Sequence, residues 1–190
     1  MKLNHPELID LLQKAYSAEK AASFAYQGHA GSLSNTLHKS KIKQIETDEW
    51  NHRKEVLSIM NHYQIPVSKG YEFRFYVIGK TIGFSCYVIG WFMPFYFAGI
   101  LESGNVCEYF RIKQFFNALG ITEHDAVLYE MAIKEKEHEI YFLQQVKESK
   151  LLPFFEKVFK WGLNKSFNNV NLDDKYPVEN SDVYCKKQEA

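Results

Sequence analysis

Apolar positions recur at steps of three and four along several stretches of the chain, and that spacing predicts amphipathic helices. The first runs from residue 6 to about 30, with Leu12, Ala15, Ala22 and Tyr26 on its stripe. Pro6 suits a first turn, and Glu7 and Asp10 are favourable near the positive end of the helix dipole. Gly28–Asn35 reads as a turn. The second helix spans about 36 to 63 on a seam of Ile42, Ile45, Val56 and Ile59, followed by a connector over 62–73 with Pro66 and Gly70. Residues 81–101 then carry no charge over 21 positions, with Gly83, Gly90, Gly99 and Pro94 interrupting the run. That length can cross a bilayer. A single crossing would separate the two halves of the chain, so the pattern predicts instead a long third helix, kinked or broken near Pro94. This helix is part core and part apolar surface, and it continues through Phe95, Ala98, Val106 and Tyr109. Thr122 with Asp125 resembles a capping box at the start of a fourth helix, from about 123 to 147, seamed by Leu128, Met131 and Phe142. Pro153 opens one more amphipathic helix, with Phe154, Val158, Trp161, Gly162 and Leu163 on its apolar side.

Polar residues interrupt these seams, and they carry the candidate chemistry. Glu19 falls four after Ala15 and three before Ala22, where a core residue belongs. Glu49 and His52 replace two hydrophobes in the second seam, and Glu135 and His138 do the same in the fourth. Glu102 takes the seam position of the third helix; Glu108, about 120° further round, is the second choice there. Glu46 and Asp48 lie off the second seam and are expected to face water, while Glu130, Glu137 and Glu139 lie off the fourth.

Both Glu49-Trp50-Asn51-His52 and Glu135-Lys136-Glu137-His138 put a carboxylate and an imidazole on one helical face. One such motif is common by chance. Two on apolar seams, joined by an inward carboxylate on each of two further helices, form the ligand set of a di-iron carboxylate bundle. The spacing supports the pairing: Glu19 precedes Glu49 by 30 residues and Glu102 precedes Glu135 by 33, each pair flanking a turn near its midpoint. In each antiparallel hairpin the two glutamates then sit level. Two ferrous ions would be balanced by the four carboxylates and completed by two neutral imidazoles. The expected assignment gives Glu19 and His52 to one iron, Glu102 and His138 to the other, and makes Glu49 and Glu135 the bridges. Manganese is an alternative to iron, and zinc binds such donors adventitiously.

Length and composition narrow the classes further. A chain of 190 residues is expected to form one domain, here over 1–167, with a polar tail over 168–190. Lysine plus arginine number 23, as do aspartate plus glutamate, so no strongly basic chain offers itself to nucleic acid. Lys39, Lys41 and Lys43 read as a solvated helix end. Cys86, Cys107 and Cys185 are odd in number and widely spaced, without a Cys-x-x-Cys; this excludes a rubredoxin or zinc-ribbon module and suggests a reducing compartment. The N-terminal residues have no apolar h-region, so neither a secretory signal nor a transit peptide is expected.

With these residues in place the chain resembles the ferritin-like superfamily and, within it, the demethoxyubiquinone hydroxylases of ubiquinone biosynthesis. The segment Glu19-Lys20-Ala21-Ala22-Ser23-Phe24-Ala25-Tyr26-Gln27-Gly28 is similar to that family's first ligand segment. The apolar third helix ending in Glu102 and the amphipathic helix after the second Glu-x-x-His also match, so the likeness spans residues 8–166. It departs after Glu102, at Ser103-Gly104-Asn105-Val106-Cys107-Glu108-Tyr109, and in the aromatic character around Pro94. The resemblance implies an all-α, ferritin-like four-helix bundle with a C-terminal amphipathic helix and two iron ions. It also implies a cytoplasmic, peripherally membrane-bound monooxygenase that hydroxylates a lipophilic quinone-like substrate with dioxygen. Residues 81–101 would touch the membrane, an external donor would supply electrons because no glycine-rich dinucleotide motif is present, and a homodimer is compatible. The alternatives are a rubrerythrin-like peroxidase and a bacterioferritin-like ferroxidase. Trp50 and Asn51 stand where bacterioferritins carry their haem methionine, which disfavours haem.

Overall fold

The computed structural model describes residues 3–163, and every regular element among them is helical. In chain order these are α1 (Pro6–Ser32), α2 (Thr36–His62), α3 (Lys69–Ser85), α4 (Phe92–Ala118), α5 (Asp125–Val146) and α6 (Leu152–Phe159). They fall into two compact units, one holding α1–α3 and the other α4–α6. No helix among the described residues is long and apolar enough to cross a membrane. The tail expected over 168–190 lies outside the described residues.

In the first unit, α1 packs against both α2 and α3. Its N-terminus is capped by His5, whose Nδ1 accepts from the Leu8 N–H at 3.2 Å. The turn expected from Gly28 begins only after Ser32, since α1 runs through Gly28 and Gly31. Gly28 serves close approach rather than reversal: a Cβ there would lie 2.2 Å from the Gly83 carbonyl oxygen of α3. Asn35 ends the short link by accepting from the N–H groups of Leu37 and His38 at 2.9 and 3.2 Å, which starts α2. A link this short makes α1 and α2 antiparallel neighbours. The buried residues of α2 are Ile42, Ile45, Glu49, His52, Val56, Ile59 and Met60, the expected seam with Met60 added. Glu46 and Asp48, expected in water, are half-buried.

The connector expected over 62–73 is already helical from Lys69, with Ser68 Oγ accepting from the Tyr71 N–H at 3.4 Å. Of α3 only Gly79 and Gly83 are buried, because the helix meets α1 along its glycine edge. Its large apolar side chains face outward, with Phe73 and Phe84 each more than 70% exposed. The expected long third helix is therefore two helices. The chain breaks over Cys86–Trp91, ahead of Pro94, and Gly90 supplies a left-handed turn at φ +78°. Pro94 sits in the first turn of α4, where its missing N–H forfeits no helical bond.

In the second unit α4 packs along α5 across a link over 119–124, in which Gly120 takes φ +75°. The expected capping box does not form. His124 occupies the N-cap, the Asp125 N–H donates to the Thr122 carbonyl at 3.1 Å, and the Asp125 carboxylate lies 3.3 Å from Lys113 Nζ. The α4 interior includes Phe95, Ala98, Glu102, Val106 and Tyr109. α5 buries two adjacent stripes: the expected seam, and a second made by Ala132, Lys136, Glu139, Leu143 and Val146. After α6 the chain turns at Lys160, a non-glycine residue at φ +60°, and sends Trp161 inward. Trp161 and Gly162 are buried, whereas Phe154, Val158 and Leu163 of the expected apolar side are exposed.

Candidate metal centre

Each unit buries one trio of two carboxylates and an imidazole. In the first, α1 presents Glu19 and α2 presents Glu49 and His52, all nearly or fully buried. One donor atom from each lies within 4.8 Å of the others. The antiparallel pairing makes this possible, since a residue well inside α1 is brought level with one near the middle of α2. Ser23 Oγ donates to the Glu19 carbonyl at 2.8 Å, one turn on along α1.

In the second unit α4 presents Glu102, and α5 presents Glu135 and His138, with exposures of 0, 0 and 1%. Their donor atoms likewise lie within 4.8 Å of one another. His138 Nδ1 is 3.6 Å from Glu135 Oε2 on the same helical face. Asn105 Nδ2 donates to Glu102 Oε2 at 3.2 Å, one turn further along α4. Glu108, the second choice on this helix, is half-buried and outside the trio.

Two carboxylates this close and this buried repel each other, and a divalent cation offsets the repulsion. Both trios are compatible with holding a metal ion. Carboxylate with imidazole suits iron, manganese and zinc alike, so the donor set does not name the metal.

Around the trios lie charged residues that the helical periodicity did not single out. In the first unit Arg53, next to His52, donates from Nη1 and Nη2 to both oxygens of Glu72 on α3, at 3.0 and 2.9 Å. Arg53 also donates to the Tyr16 carbonyl and lies 3.6 Å over the Tyr16 ring. Lys20, next to Glu19, reaches the same carboxylate at 2.9 Å. Burial raises the Glu72 pKa, but the bonds from Arg53 and Lys20 outweigh it and hold the carboxyl below its ordinary value. In the second unit Lys136 Nζ donates to Glu139 Oε2 at 2.7 Å and Trp161 Nε1 donates to Glu139 Oε1 at 2.8 Å, all three side chains buried. Burial pushes the Lys136 ammonium down, opposed by Glu139. The second α5 stripe was visible as apolar steps of four, three, four and three from Ala132 to Val146 once Lys136 and Glu139 are admitted to it. Nothing local marks Glu72 or Trp161, because their partners lie 19 and 22 residues away.

No protein-family model, no curated protein and no solved structure matches this chain.

Proposed function

We propose that the protein is a di-iron monooxygenase of the ferritin-like four-helix type, hydroxylating a lipophilic, quinone-like substrate, with the residues of the two trios as its iron ligands. One observation carries this reading: each helical hairpin buries the same trio, two glutamates and a histidine, at equivalent positions. Together they offer four carboxylates and two imidazoles, which balance the charge of two ferrous ions and leave coordination positions open. Glu19, Glu49, His52, Glu102, Glu135 and His138 would hold the two ions. Two ferrous ions held there would supply two electrons and open positions for dioxygen, with an external donor returning the electrons. The chain's own part is to keep six donors in place in an apolar interior and to keep water away from the reacting groups.

Exposed apolar side chains support a lipid-facing role. Phe73, Tyr76, Val77, Phe84, Tyr87 and Val88 project from α3 and the turn after it. Phe154, Val158 and Phe159 do so from α6. Such patches mark interaction surfaces, and a peripheral membrane contact is the one a lipophilic substrate requires. The same surface disfavours the bacterioferritin-like alternative, whose storage shell needs a polar exterior.

Anaerobic loading with ferrous iron is expected to give about two irons per chain, as two three-donor sets imply, and Glu49→Ala or His138→Ala is expected to lose them. A chain that stays metal-free refutes the centre. Mass spectrometry of quinone extracts incubated with reduced protein and dioxygen tests the reaction; absence of a product heavier by one oxygen atom refutes the hydroxylase.

A further inference from the structure

The residues that follow four of the six trio members are tied into two separate networks. Lys20 follows Glu19 and Arg53 follows His52, and both converge on Glu72. Lys136 follows Glu135 and Glu139 follows His138, and these two pair with each other. In each unit one carboxylate gathers two donors: Glu72 takes Lys20 and Arg53, Glu139 takes Lys136 and Trp161.

The geometry makes these bonds rotational stops. Consecutive helical residues are about 100° apart around the axis, so clamping one residue fixes the direction in which its neighbour points. Glu72 belongs to α3 and pulls on α1 and α2 from outside the trio, with Arg53 held in a two-pronged grip whose planar fork allows little rotation. Glu139 is anchored to the segment after α6. Trp161 is in turn fixed at both ends of the residue: the Tyr96 hydroxyl donates to its carbonyl at 2.8 Å, and its ring lies so close to Gly99 that a Cβ there would come within 2.1 Å. A fully buried Lys–Glu pair is a poor source of stability, since desolvation consumes most of the attraction. Both partners lie on α5, so the pair itself turns with the helix; the bond from Trp161 Nε1 to Glu139 is what ties α5 to another segment.

We propose that Glu72 and Glu139 are positioning residues that set the rotation of the ligand-bearing helices and so the geometry of each trio, without touching the metal. The inference rests on the trios being metal ligands.

Cobalt(II) titration of the full chain tests it, because the d–d spectrum reports ligand geometry independently of any turnover. Glu72→Gln removes the charge that grips Arg53 and Lys20, and Trp161→Phe removes the N–H that anchors Glu139 while keeping an aromatic ring at that position. Each is expected to weaken cobalt binding by roughly tenfold or more and to shift the d–d bands, as loss of outer support does at metal sites. Lys134→Ala is the control: it deletes the exposed Lys134–Glu137 pair on the same helix and should leave affinity and spectrum unchanged. Measurements are made at a temperature where far-UV circular dichroism shows every variant folded. Wild-type affinity and an unshifted spectrum in both variants overturn the positioning role and leave the metal centre standing. A wild-type chain that takes up no cobalt overturns the centre and the positioning role together.

Discussion

Gly28→Ala and Gly104→Ala make the same chemical change on two helices and should move stability in opposite directions. At Gly28 the added Cβ would sit 2.2, 2.3 and 2.4 Å from the oxygen, Cα and carbonyl carbon of Gly83. All three are backbone atoms, so no rotamer change relieves the clash, and α1 and α3 must part by more than about 1 Å to reach ordinary contact. A gap of that size forfeits a quarter to a half of the dispersion attraction along the contact, and overpacking of this kind costs about 1–3 kcal/mol. Replacing glycine by alanine in a helix returns about 1 kcal/mol. The balance at Gly28 is a loss of up to about 2 kcal/mol. At Gly104, exposed within α4, an added Cβ meets nothing within 4 Å, so the propensity gain of about 1 kcal/mol stands alone. With roughly 2–4 °C in Tm per kcal/mol for a chain of this size, Gly28→Ala should melt several degrees below the wild type and Gly104→Ala a few degrees above it. Thermal and urea melts followed by far-UV circular dichroism, with a chelator present to remove any contribution from bound metal, measure both. A Gly28→Ala protein that gains stability as Gly104→Ala does refutes the close α1–α3 approach.

Two further predictions concern residues away from the trios. Burial, with a smaller effect from His38, pushes His29 from 6.5 down to about 4. The unfolded chain therefore binds this proton more readily, so the stabilisation is complete above about pH 6.5 and is lost as pH falls toward 4. At 1.36 kcal/mol per unit the loss approaches roughly 3 kcal/mol. Urea midpoints at pH 7 and near pH 4 should fall less in His29→Met than in the wild type, and an equal fall would refute the assignment. Lys160 holds a left-handed conformation at φ +60° with its side chain in solvent, so Lys160→Gly should relieve roughly 1–2 kcal/mol, less about 0.5–1 kcal/mol for glycine's extra backbone entropy, and raise Tm by a few degrees; an unchanged or lower Tm would show that the turn costs a side chain nothing.

Helical periodicity was enough to mark Glu19, Glu49, His52, Glu102, Glu135 and His138 as inward, because burial of one face repeats every three or four residues and a charged residue on that face stands out. All six are buried, and within each hairpin the carboxylates are level as the 30- and 33-residue spacings require. Glycine misled the same reading. In Gly28–Asn35 glycine reads as punctuation, whereas α1 continues to Ser32 and uses Gly28 to meet α3. A glycine that permits a turn and one that permits close approach look alike until the neighbouring helix is known. The pattern places a kink or break of the apolar run near Pro94, but a proline in a first turn disturbs nothing, and Cys86–Trp91 makes the break instead.

The sequence by itself determined which residues are helical in the main, which faces turn inward, and which donors those faces carry, since all of these depend on neighbours within a turn or two. Only the tertiary structure decided what holds the donors in place. Arg53 reaches Glu72 on another helix, and Glu139 is completed by Trp161 beyond the end of α6. Such pairs join residues with no periodic relation, and their energy comes from the low dielectric and fixed geometry that exist only after the helices have packed.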